Sequence, residues 1–195
     1  DTASAERAIA RWQVLGASVA GLAEARARLA LDRGDSVAAE EQLRKLTGSG
    51  DKDAWRAFGR ILMGWRDSAQ AGRLLESLAT PQRLPGDPQA WLAMSEMGDK
   101  LGRQAYAQQI ADTALTRFHT ADTYAWAAQL KYKSGDRKAA RALYADAVRK
   151  SPKDTRLRLG YAGLLAQMHD YTTAARMLAQ GPQDAQIYSA RASFA

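Results

Sequence analysis

The sequence predicts an all-α fold in which antiparallel helix pairs stack into a solenoid. A stripe of mostly small and aliphatic residues at offsets 0, +4 and +7 recurs six times along the 195 residues, with successive copies 31 to 36 residues apart. The six copies begin at Ala8, Ala39, Ala71, Ala107, Ala140 and Ala174. A helical unit of about 34 residues cannot bury its own apolar stripe, so neighbouring units must pack against each other.

A second stripe and a turn signal make each unit a helix pair. The second stripe has offsets 0, +3 and +4, precedes the first by about 16 residues within a unit, and begins at Trp55, Trp91, Tyr124, Arg158 and Tyr188. Four turns lie between the two stripes: Gly34-Asp35, Gly102-Arg103, Gly135-Asp136 and His169-Asp170. Glycine ends one helix in a left-handed conformation and aspartate caps the next.

These residues resemble the tetratricopeptide repeat, a 34-residue helix–turn–helix unit. The copy from Ala121 to Asp154 carries the pattern best, with Tyr124, Gly135, Ala140, Tyr144, Ala147 and Pro152 at matching positions. The resemblance implies a right-handed superhelical solenoid whose first helices line a concave groove. It also implies a role in binding protein partners.

The predicted organisation is a single array over residues 1–195. It begins with the second helix of a truncated repeat at 3–15 and ends with the first helix of another at 184–195. Helix pairs are predicted at 20–51, 52–87, 88–120, 121–154 and 155–183. The chain starts at Asp1 rather than Met, so we expect a piece of a longer protein. Three prolines and a glycine in residues 80–88 predict an extended, exposed loop.

Composition limits the chemistry that the chain can carry. Cysteine is absent, which excludes disulfides and thiolate nucleophiles. The sequence also contains no run of 18 apolar residues, which a membrane-spanning helix would need. The motifs of zinc proteases, serine hydrolases and nucleotide-binding loops are missing. The two histidines, His119 and His169, are interpreted as cap or turn residues. We therefore expect neither an enzyme nor a cofactor or metal site.

The five tryptophans divide into two groups. Trp12, Trp55 and Trp91 lie on the helical stripes and are predicted to be buried between helices. Trp65 and Trp126 lie off the stripes, so they are the aromatic residues expected to be exposed.

The resemblance places candidate partner-binding residues along the first helices. Arg56 and Arg60, one helical turn apart, could form paired hydrogen bonds with a carboxylate or phosphate, and Arg28 is predicted beside them. A weaker candidate contains Gln129, Tyr132 and Lys133. The alternative for the arginine set is a solvated helix face. The lysine and asparagine clamp with which chaperone-binding relatives hold a peptide carboxylate is missing.

The leading functional hypothesis is a non-catalytic scaffold that binds a peptide or a protein subunit of a bacterial assembly. The Ala- and Arg-rich composition resembles that of high-GC bacteria, and the degenerate repeats are similar to bacterial envelope proteins of exopolysaccharide export. This similarity favours the periplasm over the cytoplasm. The alternative is that the groove binds a polyanion, either single-stranded RNA or an acidic polysaccharide, since the net charge is +7. The basic residues are spread over all faces, which disfavours nucleic acid and leaves an acidic polysaccharide as a candidate.

Overall fold

A computed structural model describes residues 2–51, 53–182 and 184–192. The predicted repeat boundaries at 52 and 183, and the end of the last predicted helix at 193–195, lie outside these residues. The described residues form twelve α-helices and no strand, which confirms the all-α prediction. The helices are α1 (Thr2–Val14), α2 (Val19–Asp32), α3 (Ser36–Thr47), α4 (Ala54–Met63), α5 (Ser68–Leu78), α6 (Pro88–Lys100), α7 (Gln104–Phe118), α8 (Ala121–Lys133), α9 (Arg137–Lys150), α10 (Thr155–Gln167), α11 (Tyr171–Ala179) and α12 (Ala185–Ala192). None of these helices combines the length and hydropathy needed to cross a bilayer.

The turns between paired helices have the predicted chemistry. Gly34 and Gly135 adopt positive φ angles of 76° and 87°, and His169 takes the same left-handed conformation with a φ of 62°. The aspartate that follows each of them caps the next helix, as where the Asp35 and Asp136 carboxylates each accept a backbone N–H at 2.9 Å. His119 also has a positive φ, of 51°, at the end of α7. The interpretation of both histidines as cap or turn residues is therefore confirmed.

The chain divides into two compact units, Asp1–Ile110 and Ala111–Ala195, with the boundary inside α7. In the first unit each helix from α1 to α5 packs on the helix that follows it, and the pairs α2/α4, α3/α5 and α4/α6 are also in contact. This pattern is that of stacked helix pairs. The largest fully buried side chains of this unit include Leu43, Phe58, Leu62, Leu75 and Trp91.

The second unit repeats the arrangement around its own core. Helices α8 to α12 pack in sequential order, with further contacts between α8 and α10 and between α10 and α12. Tyr144 of α9 stacks on Tyr161 of α10 with ring centroids 5.7 Å apart, and Leu165, Leu178 and Ile187 are fully buried beside them. Stacking of helix pairs is thus present within each unit. A single right-handed array over residues 1–195 stays a prediction.

The loop before α6 contacts the neighbouring helices at two points. The side chain of Leu84 is buried, and the indole Nε1 of Trp91 donates a hydrogen bond of 2.7 Å to the carbonyl of Pro85. The loop is therefore exposed at Gln82, Arg83, Gly86 and Asp87, as predicted, but Leu84 and the Pro85 carbonyl attach it to the helices, which the prediction did not include. Pro88 occupies the first turn of α6. Backbone N–H groups at this position have no acceptor within the helix, so proline, which lacks this group, costs no hydrogen bond there.

The tryptophan prediction is correct at some positions and wrong at others. Trp91 is buried, whereas Trp55 is half-buried and Trp12 is 46% exposed, because none of the residues of α1 is buried. Trp65 is only 7% exposed, contrary to the prediction. Its indole N–H donates to Gln70 Oε1 at 3.0 Å, which allows the ring to be buried in the turn after α4. Trp126 is half-buried beneath Lys133, whose Nζ lies 5.6 Å from the ring centroid.

Candidate functional site

A cavity of about 710 Å³ opens between the first helices of three successive pairs in the Asp1–Ile110 unit. Helix α4 contributes the central wall, and α2 and α6 lie on either side of it. The apolar lining consists of Leu31, Trp55, Met63, Ala93, Met94 and Met97. The charged lining consists of Arg28, Asp32, Arg56 and Arg60. The three arginines predicted from the sequence therefore line the same cavity.

Glycine and methionine shape the apolar wall. A Cβ atom at Gly59 would lie 3.4 Å from the Met97 Cε atom and 3.8 Å from that of Met94, so the absence of a side chain leaves these methyl groups at the backbone of α4. Met94 and Met97 are buried, whereas Met63 is 58% exposed. Methionine side chains are flexible and polarisable, so such a wall adapts to apolar groups of different shape.

Two of the three arginines are held by one carboxylate from α2. Arg60 donates from Nε to both oxygens of Glu24 at 2.9 Å and from Nη2 to Oε2 at 2.6 Å, and Arg28 donates from Nη2 to Oε1 at 2.7 Å. The Glu24 side chain is only 14% exposed. These hydrogen bonds, that of Arg60 first, lower the pKa of Glu24, and the same contact raises the pKa of Arg60. Glu24 therefore stays ionised and fixes the two guanidinium groups.

Arg56 has a much looser environment. Its Nη1 atom lies 3.6 Å from Asp53 Oδ1, which is beyond hydrogen-bond range, and its side chain is 80% exposed. An exposed pair of this kind contributes little to stability. The guanidinium of Arg56 can therefore exchange Asp53 for another acceptor at small cost.

The second predicted set lies on α8 in the Ala111–Ala195 unit. Tyr132 donates from its hydroxyl to the Gln167 carbonyl at 3.0 Å, and the guanidinium of Arg137 lies 5.9 Å from its ring centroid. Lys133 stacks on Trp126. Gln129 is half-buried one turn earlier. The structure thus engages Tyr132 and Lys133 in contacts within the unit, and the proposal that this set binds a partner remains untested.

The described residues contain no cluster of side chains suited to holding a metal ion. Across residues 2–51, 53–182 and 184–192 there is no group of three or more His, Cys, Asp or Glu side chains that could hold a metal ion. His169 lies 3.2 Å from the hydroxyl of the neighbouring Tyr171, through its Nδ1 atom, in an exposed turn. The lining of the cavity offers apolar surface and the N–H donors of guanidinium groups.

Comparison with known proteins shows which solved structures have a similar fold. Residues 131–193 match the family described as tetratricopeptide repeat. The family match thus covers the segment from the end of α8 to α12. A tetratricopeptide repeat protein from Parabacteroides merdae ATCC 43184 has 18% identity and a TM-score of 0.51, over 90% of this chain and 72% of that one. The MamA protein has 12% identity and a TM-score of 0.50, over 84% of this chain and 93% of that one. A search of curated protein sequences finds no match.

Identities this low establish the tetratricopeptide fold and no more. A thermophilic tetratricopeptide repeat protein from Thermus thermophilus is also similar, with 21% identity and a TM-score of 0.48 over 81% of this chain and 87% of that one. Tetratricopeptide folds generally mediate protein–protein interaction, and proteins built from them are typically non-catalytic scaffolds.

The structure adds residues to the predicted site. Met94 and Met97 of α6 form part of the cavity wall, although the stripe through Met94 indicates only helix packing. Trp55, predicted to be core, also lines the cavity. The sequence did contain a signal for these residues. Met63, Met94 and Met97 lie on the first helices of neighbouring repeats, and first helices face the groove in tetratricopeptide repeat proteins.

Proposed function

We propose that this chain is a non-catalytic scaffold that binds a peptide or protein subunit of a bacterial envelope assembly in the cavity between α2, α4 and α6. The observation that carries the proposal is the cavity itself, which has an apolar wall and three arginines on first-helix positions. The Ala- and Arg-rich composition and the degenerate repeats support the bacterial envelope as the setting.

The geometry favours a peptide over a small charged ligand. Six apolar residues line the cavity, against three arginines and one aspartate. A ligand must therefore present apolar surface to gain binding free energy by burial. The guanidinium groups supply N–H donors for carbonyl or carboxylate oxygens, which a peptide carries at every residue.

A peptide-display experiment with a cavity-filling variant tests this proposal. A random 12-residue peptide library is selected on the wild-type chain, and the affinities of the enriched peptides are measured by fluorescence anisotropy. Gly59→Leu puts a side chain against Met94 and Met97 and should weaken binding at least tenfold. Replacing Arg56 and Arg60 together by Ala should also weaken it at least tenfold.

The matched control is Gly163→Leu. Gly163 lies inside α10, and a Cβ atom there meets nothing within 4 Å. This variant carries the same substitution within a helix and should bind as the wild type does. No enriched peptide, or equal affinity for Gly59→Leu and wild type, would refute binding in the cavity.

Polyanion binding is a second candidate, supported by the net charge of +7. The pairing of Arg28 and Arg60 with Glu24 weakens this support, because a phosphate or sulfate would have to displace a bound carboxylate. Binding of poly(U) or dextran sulfate across a salt series separates the two functions. For a polyanion, the logarithm of the binding constant should fall steeply and linearly with the logarithm of the salt concentration. For an apolar peptide, the binding constant should change little with salt.

A further inference from the structure

The walls and the rim of the cavity specify what the partner must present, provided that the proposed function holds. We infer that the partner segment inserts one large apolar side chain against Met63, Met94 and Met97 and places a single carboxylate on Arg56. The partner is therefore an acidic peptide with an apolar anchor.

The apolar part of this inference rests on the methionine wall. Met63 is 58% exposed at the cavity, although methionine is usually buried. The half-buried ring of Trp55 lies on the same lining. A side chain inserted there covers the exposed thioether, and an aromatic ring gains the sulfur–aromatic contacts that methionine favours. A volume of about 710 Å³ has room for such a side chain together with its flanking backbone.

The acidic part follows from how the arginines are already used. Arg28 and Arg60 share Glu24, so the three groups together carry one net positive charge while both guanidiniums are fixed. Arg56, at 80% exposure and 3.6 Å from Asp53, is the rim arginine with the weakest anionic contact. A ligand carboxylate can form two short hydrogen bonds to it in place of that contact.

Asp32 limits the number of acidic groups that the site accepts. Among the described residues that line this cavity, it is the single anionic side chain. A second carboxylate on the ligand would meet this charge and be disfavoured. The inference is therefore one acidic group at the Arg56 side rather than a run of acidic residues.

The experiment starts from display peptides that bind the wild-type chain and fail to bind Gly59→Leu, so that only cavity binders are counted. We expect these peptides to share a Phe, Trp, Met or Leu within a few residues of one Asp or Glu. Resynthesis with the apolar residue changed to Ala, or with the acid changed to its amide, should lower affinity at least tenfold.

Pairing the acid-to-amide peptide with protein variants tests the contact itself. With Arg56→Ala, the change from acid to amide should have almost no further effect, and with Asp32→Asn the acidic peptide should bind at least twofold more tightly. The control is Arg149→Ala, because Arg149 also follows an aspartate at i−3 and is 78% exposed, but lies on α9. This variant should retain the full effect of the acid.

Two different failures can be told apart. Cavity-dependent peptides that lack the apolar residue or the acid, or an acid effect that persists in Arg56→Ala, would overturn this inference and leave the proposed function standing. If no peptide depends on Gly59, the proposed function fails and this inference fails with it.

Discussion

Two glycines three residues apart in α10 should respond to the same substitution with opposite sign. A Cβ atom at Gly160 would lie 2.7 Å from the hydroxyl oxygen of Tyr144, which is closer than relaxed contacts allow, and 3.0 Å from its Cε1 atom, which is tighter than most. A Cβ atom at Gly163 would meet nothing within 4 Å. Both positions lie inside the same helix, so their helix propensities cancel in the comparison.

The magnitudes follow from two effects. Alanine inside a helix stabilises it by roughly 0.5–1 kcal/mol relative to glycine, so Gly163→Ala should raise the free energy of unfolding by that amount. Forcing an extra methyl group into a packed site costs roughly 1–3 kcal/mol. Tyr144 is buried and stacked on Tyr161, so its ring has little room to move away. Taking the middle of each range, Gly160→Ala should therefore lower the free energy of unfolding by roughly 1 kcal/mol after the helix gain is subtracted.

Urea denaturation followed by helical circular dichroism measures both variants against the wild type. The midpoints should move in opposite directions while the slopes stay equal. Tyr144→Phe removes the oxygen that the new methyl group would meet, so Gly160→Ala should cost less in that background than in the wild type. Equal stability of the two alanine variants would refute the argument that Gly160 is required by the approach of Tyr144.

Two further predictions concern buried tyrosines. Burial raises the pKa of Tyr144 to about 12, so an unfolded chain ionises this group from about pH 10 while the folded chain keeps it neutral. Stability should therefore fall as the pH rises from 10 towards 12, and the wild type should lose about 1 kcal/mol more than Tyr144→Phe by pH 11 in urea titrations. An identical pH dependence in the two proteins would contradict this. Tyr106 donates a 2.7 Å hydrogen bond from its buried hydroxyl to the Ala79 carbonyl. Tyr106→Phe should cost about 1 kcal/mol by the same denaturation assay, whereas the exposed Tyr188→Phe should be neutral.

Much of the fold could be predicted because its signals are local. Except in α1, the 0, +4, +7 stripes coincide largely with buried residues such as Ala39, Leu43 and Leu46, which lie on one face of α3. The Gly-Asp turns appear as positive-φ glycines followed by capping carboxylates. Helix periodicity and cap chemistry depend on residues within one or two turns, so a single sequence carries them in full.

The candidate site was predicted only in part. Arg28, Arg56 and Arg60 were identified because first-helix positions face the groove in the family that the sequence resembles. Glu24 lies 36 residues from Arg60, and nothing in the local pattern shows that its carboxylate holds two of the three arginines. The errors at Trp12 and Trp65 have the same origin, since a position on or off a stripe does not say whether a neighbouring helix covers it.

The sequence by itself determined that this protein is made of helices, that capped turns such as Gly34-Asp35 and Gly135-Asp136 join them, and which face of most of them is apolar. The tertiary structure alone decided that three methionines and a glycine enclose a cavity, that one carboxylate fixes two of its arginines and that Arg56 is left exposed. The physical reason is one of range. Backbone hydrogen bonds and caps act within a few residues, whereas burial, cavity shape and ion pairing depend on side chains that meet only after the helices have packed.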